Sequence, residues 1–182
     1  ELGATFHAVD VASDEQMTAV IAAVDELRAL VCCAGIAGSR ATVRRHGPHD
    51  LASFEEILRV NLVGTFNCIR LAAWAMHDLP PLDDGERGVI VTTASIAAFD
   101  GIDGGVAYSA SKAGVAGMTL PLARDLGRFG IRVASIAPGS FATPMVAGLA
   151  EDYVEQMAAA TPFPPRLGQP QEFAALAEHI LG

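Results

Sequence analysis

Short apolar runs alternate along this chain with longer stretches in which apolar residues recur every three or four positions. The first pattern fits buried strands and the second fits helices that bury one face. Ala4–Asp10 (ATFHAVD) predicts a strand ending in an acid. Ser13 or Asp14 can cap a helix running to about Leu27. Ala29–Ala34 (ALVCCA) is a short apolar run closed by Gly35, hence a buried strand. A polar stretch containing Gly38, Gly47 and Pro48 follows. Leu51 to about His77 reads as one long helix, with Leu51, Phe54, Ile57, Leu58, Leu62 and Phe66 at helical spacing. After a loop at Pro80–Gly88, Val89–Ala94 (VIVTTA) predicts another buried strand. Val106 to about Phe129 is a helix ended by Gly130, and Ile131–Ala137 a strand stopped by Pro138-Gly139. Two shorter helices, near Ala150–Ala160 and Gln171–Leu181, are separated by the proline cluster Pro162–Pro165.

Strands that are apolar throughout, rather than alternating, belong to a parallel sheet covered on both faces by helices. The order strand, helix, strand, helix makes residues 1–182 a single α/β domain. Ligands of such sheets bind at the carboxyl ends of the strands. That places Asp10, Gly35, Ser95 and Pro138-Gly139 on one rim.

Composition narrows the function. The 182 residues are 51% hydrophobic and 18% charged, too apolar for a disordered chain. Every apolar run falls short of the ~20 residues of a membrane span, so no membrane association is expected. The formal charge of −9 argues against nucleic acid as a partner. Cys32, Cys33 and Cys68 are odd in number and lack metal-ligand spacing. They read as reduced thiols of a cytoplasmic protein, with no metal site.

Eleven arginines stand against one lysine, Lys112, which falls four residues after Tyr108. With two tyrosines in the chain, that coincidence has a chance of about one per cent, and helical spacing puts both side chains on one face. A surface lysine passing a core tyrosine would be the inert explanation. The chemical one is a tyrosine acid/base whose pKa, ordinarily about 10, is lowered by a neighbouring ammonium. Ser95 ends a strand thirteen residues before Tyr108. Its hydroxyl can cap a turn or polarise a substrate carbonyl. Asn61 lies mid-helix with Gly64 close behind, where a local kink could free a carbonyl for a water, unless the side chain simply faces solvent.

Tyr108-Ser-Ala-Ser-Lys112, Ser95, Asn61, and Pro138-Gly139 with Thr143 together resemble the short-chain dehydrogenase/reductase family. Gly85–Gly101, Ala107–Val133 and Pro162–Gly168 are most similar to its type II 3-hydroxyacyl-CoA dehydrogenase branch, with bacterial relatives. The resemblance implies a Rossmann-like doubly wound parallel sheet flanked by helices. It implies Tyr108 as general acid/base, Lys112 as the residue that lowers its pKa and holds the nicotinamide ribose, and Ser95 as the group polarising the substrate oxygen. Asn61 would anchor a water behind Lys112. Asp10 and Val11 would meet the adenine, and Cys33, Ala34 and Gly35 the adenosine ribose. Pro138, Gly139, Phe141 and Thr143 would line the nicotinamide, and residues 141–165 would form a mobile substrate lid. The implied activity is hydride transfer between NAD, with NADP not excluded, and a 3-hydroxyacyl-CoA or similar small-molecule substrate, in a homotetramer. A 3-oxoacyl-carrier-protein reductase and a non-catalytic scaffold with this fold are the alternatives.

Two departures stand out against the family pattern. Its Asn-Asn-Ala-Gly, or Asn-Cys-Ala-Gly in this branch, is Cys32-Cys33-Ala34-Gly35 here. The Gly-rich phosphate loop, the first strands and the last strand are also lacking. The expectation is therefore a longer natural chain of roughly 250 residues, and a 182-residue piece that does not fold alone as a complete domain.

Overall fold

The computed structural model describes residues 3–182. Three parallel strands form the central sheet: β1 (Ala29–Cys32), β4 (Gly88–Thr93) and β5 (Ile131–Ile136), in the order β1-β4-β5. Ala29 pairs with Val89 and Cys32 with Thr92. Gly88 pairs with Ile131 and Thr93 with Ile136. The strands are apolar on both sides because both sides are covered. Ile90 and Ile131 face Met17 of α1 (Asp14–Ala22) and Cys68, Ile69, Ala72 and Met76 of α3 (Thr65–Met76). Leu122 and Leu126 of α4 (Val106–Gly127) close the same core. Val89, Val91 and Ile136 face the other way, onto Phe173, Ala177 and Ile180 of α7 (Pro170–Leu181).

The structure departs from the sequence expectations at five places. Ala4–Asp10 is not a strand: its backbone is largely exposed and pairs with no strand among the described residues. Without a ladder partner an apolar, extended sequence gains nothing from strand geometry. Helix α1, capped by Ser13 Oγ accepting from Gln16 N, ends at Ala22 rather than near Leu27. Glu26 there takes a left-handed φ of 48°, which no helix continues through. Between Gly38 and Pro48, Val43–Arg44 (β2) and Gly47–Pro48 (β3) pair as a small antiparallel hairpin. The short helix α5 (Pro144–Ala147) precedes α6 (Glu151–Ala159).

The fifth is the long helix. It is built of α2 (Leu51–Leu58), a π-helical turn at Arg59–Gly64, and α3. Such turns insert one residue into the ladder and re-aim the side chains around them. Two local causes are visible. Gly64 packs against Val11, whose Cγ2 would stand 2.6 Å from any Cβ placed there. Thr65 Oγ1 donates to the Asn61 carbonyl at 2.7 Å. The kink brings Asn61 into the interior, fully buried.

Candidate active site

The carboxyl end of β4 delivers Ser95. It is buried, extended at φ −169°, and starts a 3₁₀ turn over Ile96–Ala98. Its Oγ accepts from Ala97 N at 3.1 Å, so the hydroxyl does cap a turn. The same hydroxyl lies near enough to the Tyr108 phenol to favour its ionised form. The cap spends one lone pair and leaves the hydroxyl its second lone pair and its proton for a further partner.

Tyr108 and Lys112 share one face of α4. The Lys112 Nζ stands 5.8 Å from the centre of the Tyr108 ring and donates to the Thr93 carbonyl at 2.7 Å. Only 5% of Lys112 is exposed. Burial pushes its amine below the usual lysine value, partly offset by the thiols of Cys33 and Cys32. Burial also pushes the Tyr108 phenol up, and the nearby Ser95 hydroxyl pulls it back. In the protein as it stands, therefore, desolvation outweighs any help toward the phenolate.

The Asn61 side chain is hydrogen-bonded within the fold. Its Oδ1 accepts from Ile36 N at 2.8 Å, and its Nδ2 donates to Ile36 O at 2.9 Å and Ser111 Oγ at 3.0 Å. Ser111 Oγ in turn donates to the Tyr108 carbonyl at 2.7 Å. One buried amide thus locks the loop after β1 to α4. Sequence reasoning missed Ile36 and Ser111; a serine three residues after Tyr108, on the same helix face, was the available signal.

The residues expected to meet the adenosine lie before α1 and after β1. Asp10 Oδ1 accepts from Ala12 N at 2.9 Å, and Oδ2 from Arg59 Nη1 at 2.8 Å. The Ala12 N–H and then the Arg59 guanidinium hold its carboxyl below the usual range. Arg59, also bidentate to Glu56, was not anticipated, since only folding brings it to Asp10. Val11 O accepts from Asn67 Nδ2. Cys33 and Ala34 are exposed beyond β1, with Thr93 Oγ1 3.8 Å from Cys33 Sγ. Cys32 points inward to Cys68, and that contact with burial pushes its thiol up. A Cβ at Gly35 would lie 3.3 Å from Asn61 Oδ1 and 3.7 Å from Lys112 Nζ, so the Gly35 backbone runs directly beside both.

Beyond β5, the Pro138 carbonyl accepts from Ile96 N at 3.0 Å, joining this stretch to the turn after Ser95. Gly139 is exposed, Phe141 is half-buried, and Thr143 begins α5 without a side-chain capping bond. The carboxyl ends of β1, β4 and β5 therefore gather Cys33–Gly35, Ser95 and Pro138–Thr143, with Tyr108 and Lys112 set against them. A nicotinamide dinucleotide fits this donor set: the buried Lys112 ammonium has one hydrogen bond recorded for its three donors. Among the described residues no helix is long and apolar enough to cross a membrane.

A doubly wound sheet with a serine–tyrosine–lysine constellation on its carboxyl rim defines an oxidoreductase of the nicotinamide-dependent kind. The chain belongs to the short chain dehydrogenase family, whose model matches residues 1–154. It is 48% identical to a Drosophila melanogaster protein named 3-hydroxyacyl-CoA dehydrogenase type-2, over 99% of this chain and 74% of that one. The Homo sapiens protein of the same name is 46% identical, over 97% and 70%. Among solved structures, 3-hydroxyacyl-CoA dehydrogenase type-2 from Mycobacterium avium superposes with a TM-score of 0.89 at 41% identity, covering 96% of this chain and 69% of that one. A 3-oxoacyl-[acyl-carrier protein] reductase from Brucella melitensis superposes at 0.81, with 34% identity over 96% and 64%. The protein is thus an oxidoreductase that uses a nicotinamide cofactor and a small-molecule substrate.

Proposed function

We propose that the protein interconverts a 3-hydroxyacyl-CoA and the corresponding 3-oxoacyl-CoA, with NAD as cofactor. The observation that carries the reading is Ser95, Tyr108 and Lys112 gathered on one rim, with the buried Lys112 ammonium 5.8 Å from the Tyr108 ring centre. In the reductive direction both hydroxyls converge on the substrate carbonyl oxygen. Ser95 polarises it, and Tyr108 gives it a proton as the carbon is reduced. Lys112 then stabilises the phenolate and holds the ribose hydroxyls with its remaining donors. When bound, the nicotinamide gives or takes the hydride. Asn61 keeps Gly35 and Tyr108 in register and orders a water behind Lys112. Asp10 and Val11 meet the adenine; Cys33, Ala34 and Gly35 flank the adenosine ribose. Pro138, Gly139, Phe141 and Thr143 border the nicotinamide, and residues 141–165 form the lid.

The thioester handle is supported by charge placement. In a chain of net charge −9, exposed Arg44 and Arg45 sit on the β2–β3 hairpin. Arg40 N, just before it, donates to Gly104 O at 2.7 Å. An open groove lined by Ala41, Thr42, Phe99, Asp100, Ile102 and Asp103 lies between the segment before the hairpin and the loop after Ser95, with no arginine in its lining. Phosphates of CoA, or of a carrier protein's prosthetic arm, suit the hairpin arginines. The second reading, reduction of a carrier-bound 3-oxoacyl group, is favoured by the likeness to the Brucella reductase. Nicotinamide absorbance with acetoacetyl-CoA, against the same acyl group on carrier protein, and with NADH against NADPH, tests both choices. A cytoplasmic homotetramer completes the proposal. The exposed Val63, Phe66 and Trp74, with Leu120 of α4, leave apolar helix faces for other subunits.

A further inference from the structure

Beyond β5 the chain makes a long excursion and returns to the place it left. Ala142 N donates to Gly168 O at 2.9 Å, and Gly168 N donates to Ser140 O at 2.9 Å. These bonds pair Phe141 with Gly168 in an isolated parallel bridge. The Phe141 ring lies on Gly168: a Cβ there would be 2.7–2.9 Å from three ring carbons. The ring also meets Phe173 of α7 edge-on, with centroids 6.5 Å apart.

Just before the bridge, Arg166 makes a bidentate pair with Glu172, Nη1 to Oε2 at 2.9 Å and Nη2 to Oε1 at 2.8 Å. Glu172 Oε2 also accepts from Gln169 N at 2.7 Å, which completes a capping box at the start of α7. An isolated exposed ion pair contributes little. This one shares its carboxylate with a helix cap, so helix start, Arg166 and bridge form one network. Outside it, Met145, Leu149, Tyr153 and Phe163 of the excursion are exposed.

We infer that Arg166, Gly168 and Glu172 are positioning residues, a clasp at the start of α7 that closes the lid of residues 141–165 at its base and fixes Phe141 there. Thr143 N donates to Phe141 O at 2.9 Å, so the clasp sets Thr143 as well. The lid moves as one flap about this base, and cofactor release follows the clasp. The inference rests on the proposed reading in which Phe141 and Thr143 border the nicotinamide.

The test uses the full natural chain with Arg166→Ala, Arg166→Lys, Glu172→Gln and Gly168→Ala. Three quantities are read: the NADH dissociation rate by stopped-flow fluorescence, kcat and KM with acetoacetyl-CoA, and hydrogen exchange at the Ala142 and Gly168 amides. Arg166→Ala and Gly168→Ala should speed NADH release and raise KM about fivefold, with kcat changed less than about twofold. Exchange at both amides should accelerate, and Arg166→Lys should restore part of each effect. Phe141→Leu added to Gly168→Ala should slow the exchange again by relieving the clash. Unchanged release, KM and exchange overturn the clasp, even where thermal stability falls. If the wild type binds NADH without turning over acetoacetyl-CoA, the substrate reading fails and release still judges the clasp. If NADH does not bind, amide exchange alone decides.

Discussion

The Lys112 ammonium stands 5.8 Å from the centre of the Tyr108 ring, within a site that leaves it 5% exposed. A cation so placed is costly to the fold and useful to the chemistry. Its burial depresses the amine below the usual 10.5, so the unfolded chain binds this proton more readily than the folded one. Stability should therefore rise as pH climbs toward 10.5 and fall as pH drops through the folded value. Urea midpoints of the wild type should show this slope, and Lys112→Met should lack it. An identical slope in the variant would mean another group carries it. The same variant should shift the activity optimum to higher pH, as the phenol loses its cationic neighbour.

Asn61→Ala should both destabilise and slow the enzyme. It strands the part-buried Ile36 N–H and carbonyl, which solvent partly reaches, at a cost on the order of 1 kcal/mol for each. It also frees Ser111, which bonds the Tyr108 carbonyl. Thermal unfolding and kcat should fall together, with NADH affinity changed less. A lowered midpoint with normal kcat would reduce Asn61 to a purely structural role.

Ser95→Ala should lower kcat while the 3₁₀ turn survives, since the turn's backbone bond from Ala98 N to Ser95 O remains. A Ser95→Thr variant should recover part of the rate. A Ser95→Ala enzyme of normal kcat would remove this hydroxyl from the mechanism.

Trp74 is 72% exposed on a helix whose opposite face is core. Trp74→Glu, with Leu120→Glu, should lower the mass measured by light scattering without unfolding the protein. An unchanged mass would place the subunit contact elsewhere.

The three paired strands were legible because an apolar run has one destination in a covered parallel sheet, as Val89–Val91 show. Ala4–Asp10 was misread for the complementary reason: sequence carries strand character but not the identity of the partner. The chemical residues were legible because Tyr108 and Lys112 are local neighbours on one helix. Arg59, Ile36 and Ser111 were not, since each acquires its meaning only from a residue far along the chain. The π-turn left just a trace, the poor helix formers Asn61 and Gly64.

Tyr108→Phe keeps the ring and removes the exchangeable proton. With acetoacetyl-CoA and NADH, followed by nicotinamide absorbance, kcat should fall about 10²–10⁴-fold while NADH affinity and the unfolding midpoint stay near wild type. A purified Tyr108→Phe enzyme that turns over at the wild-type rate would contradict the assignment of proton transfer to Tyr108.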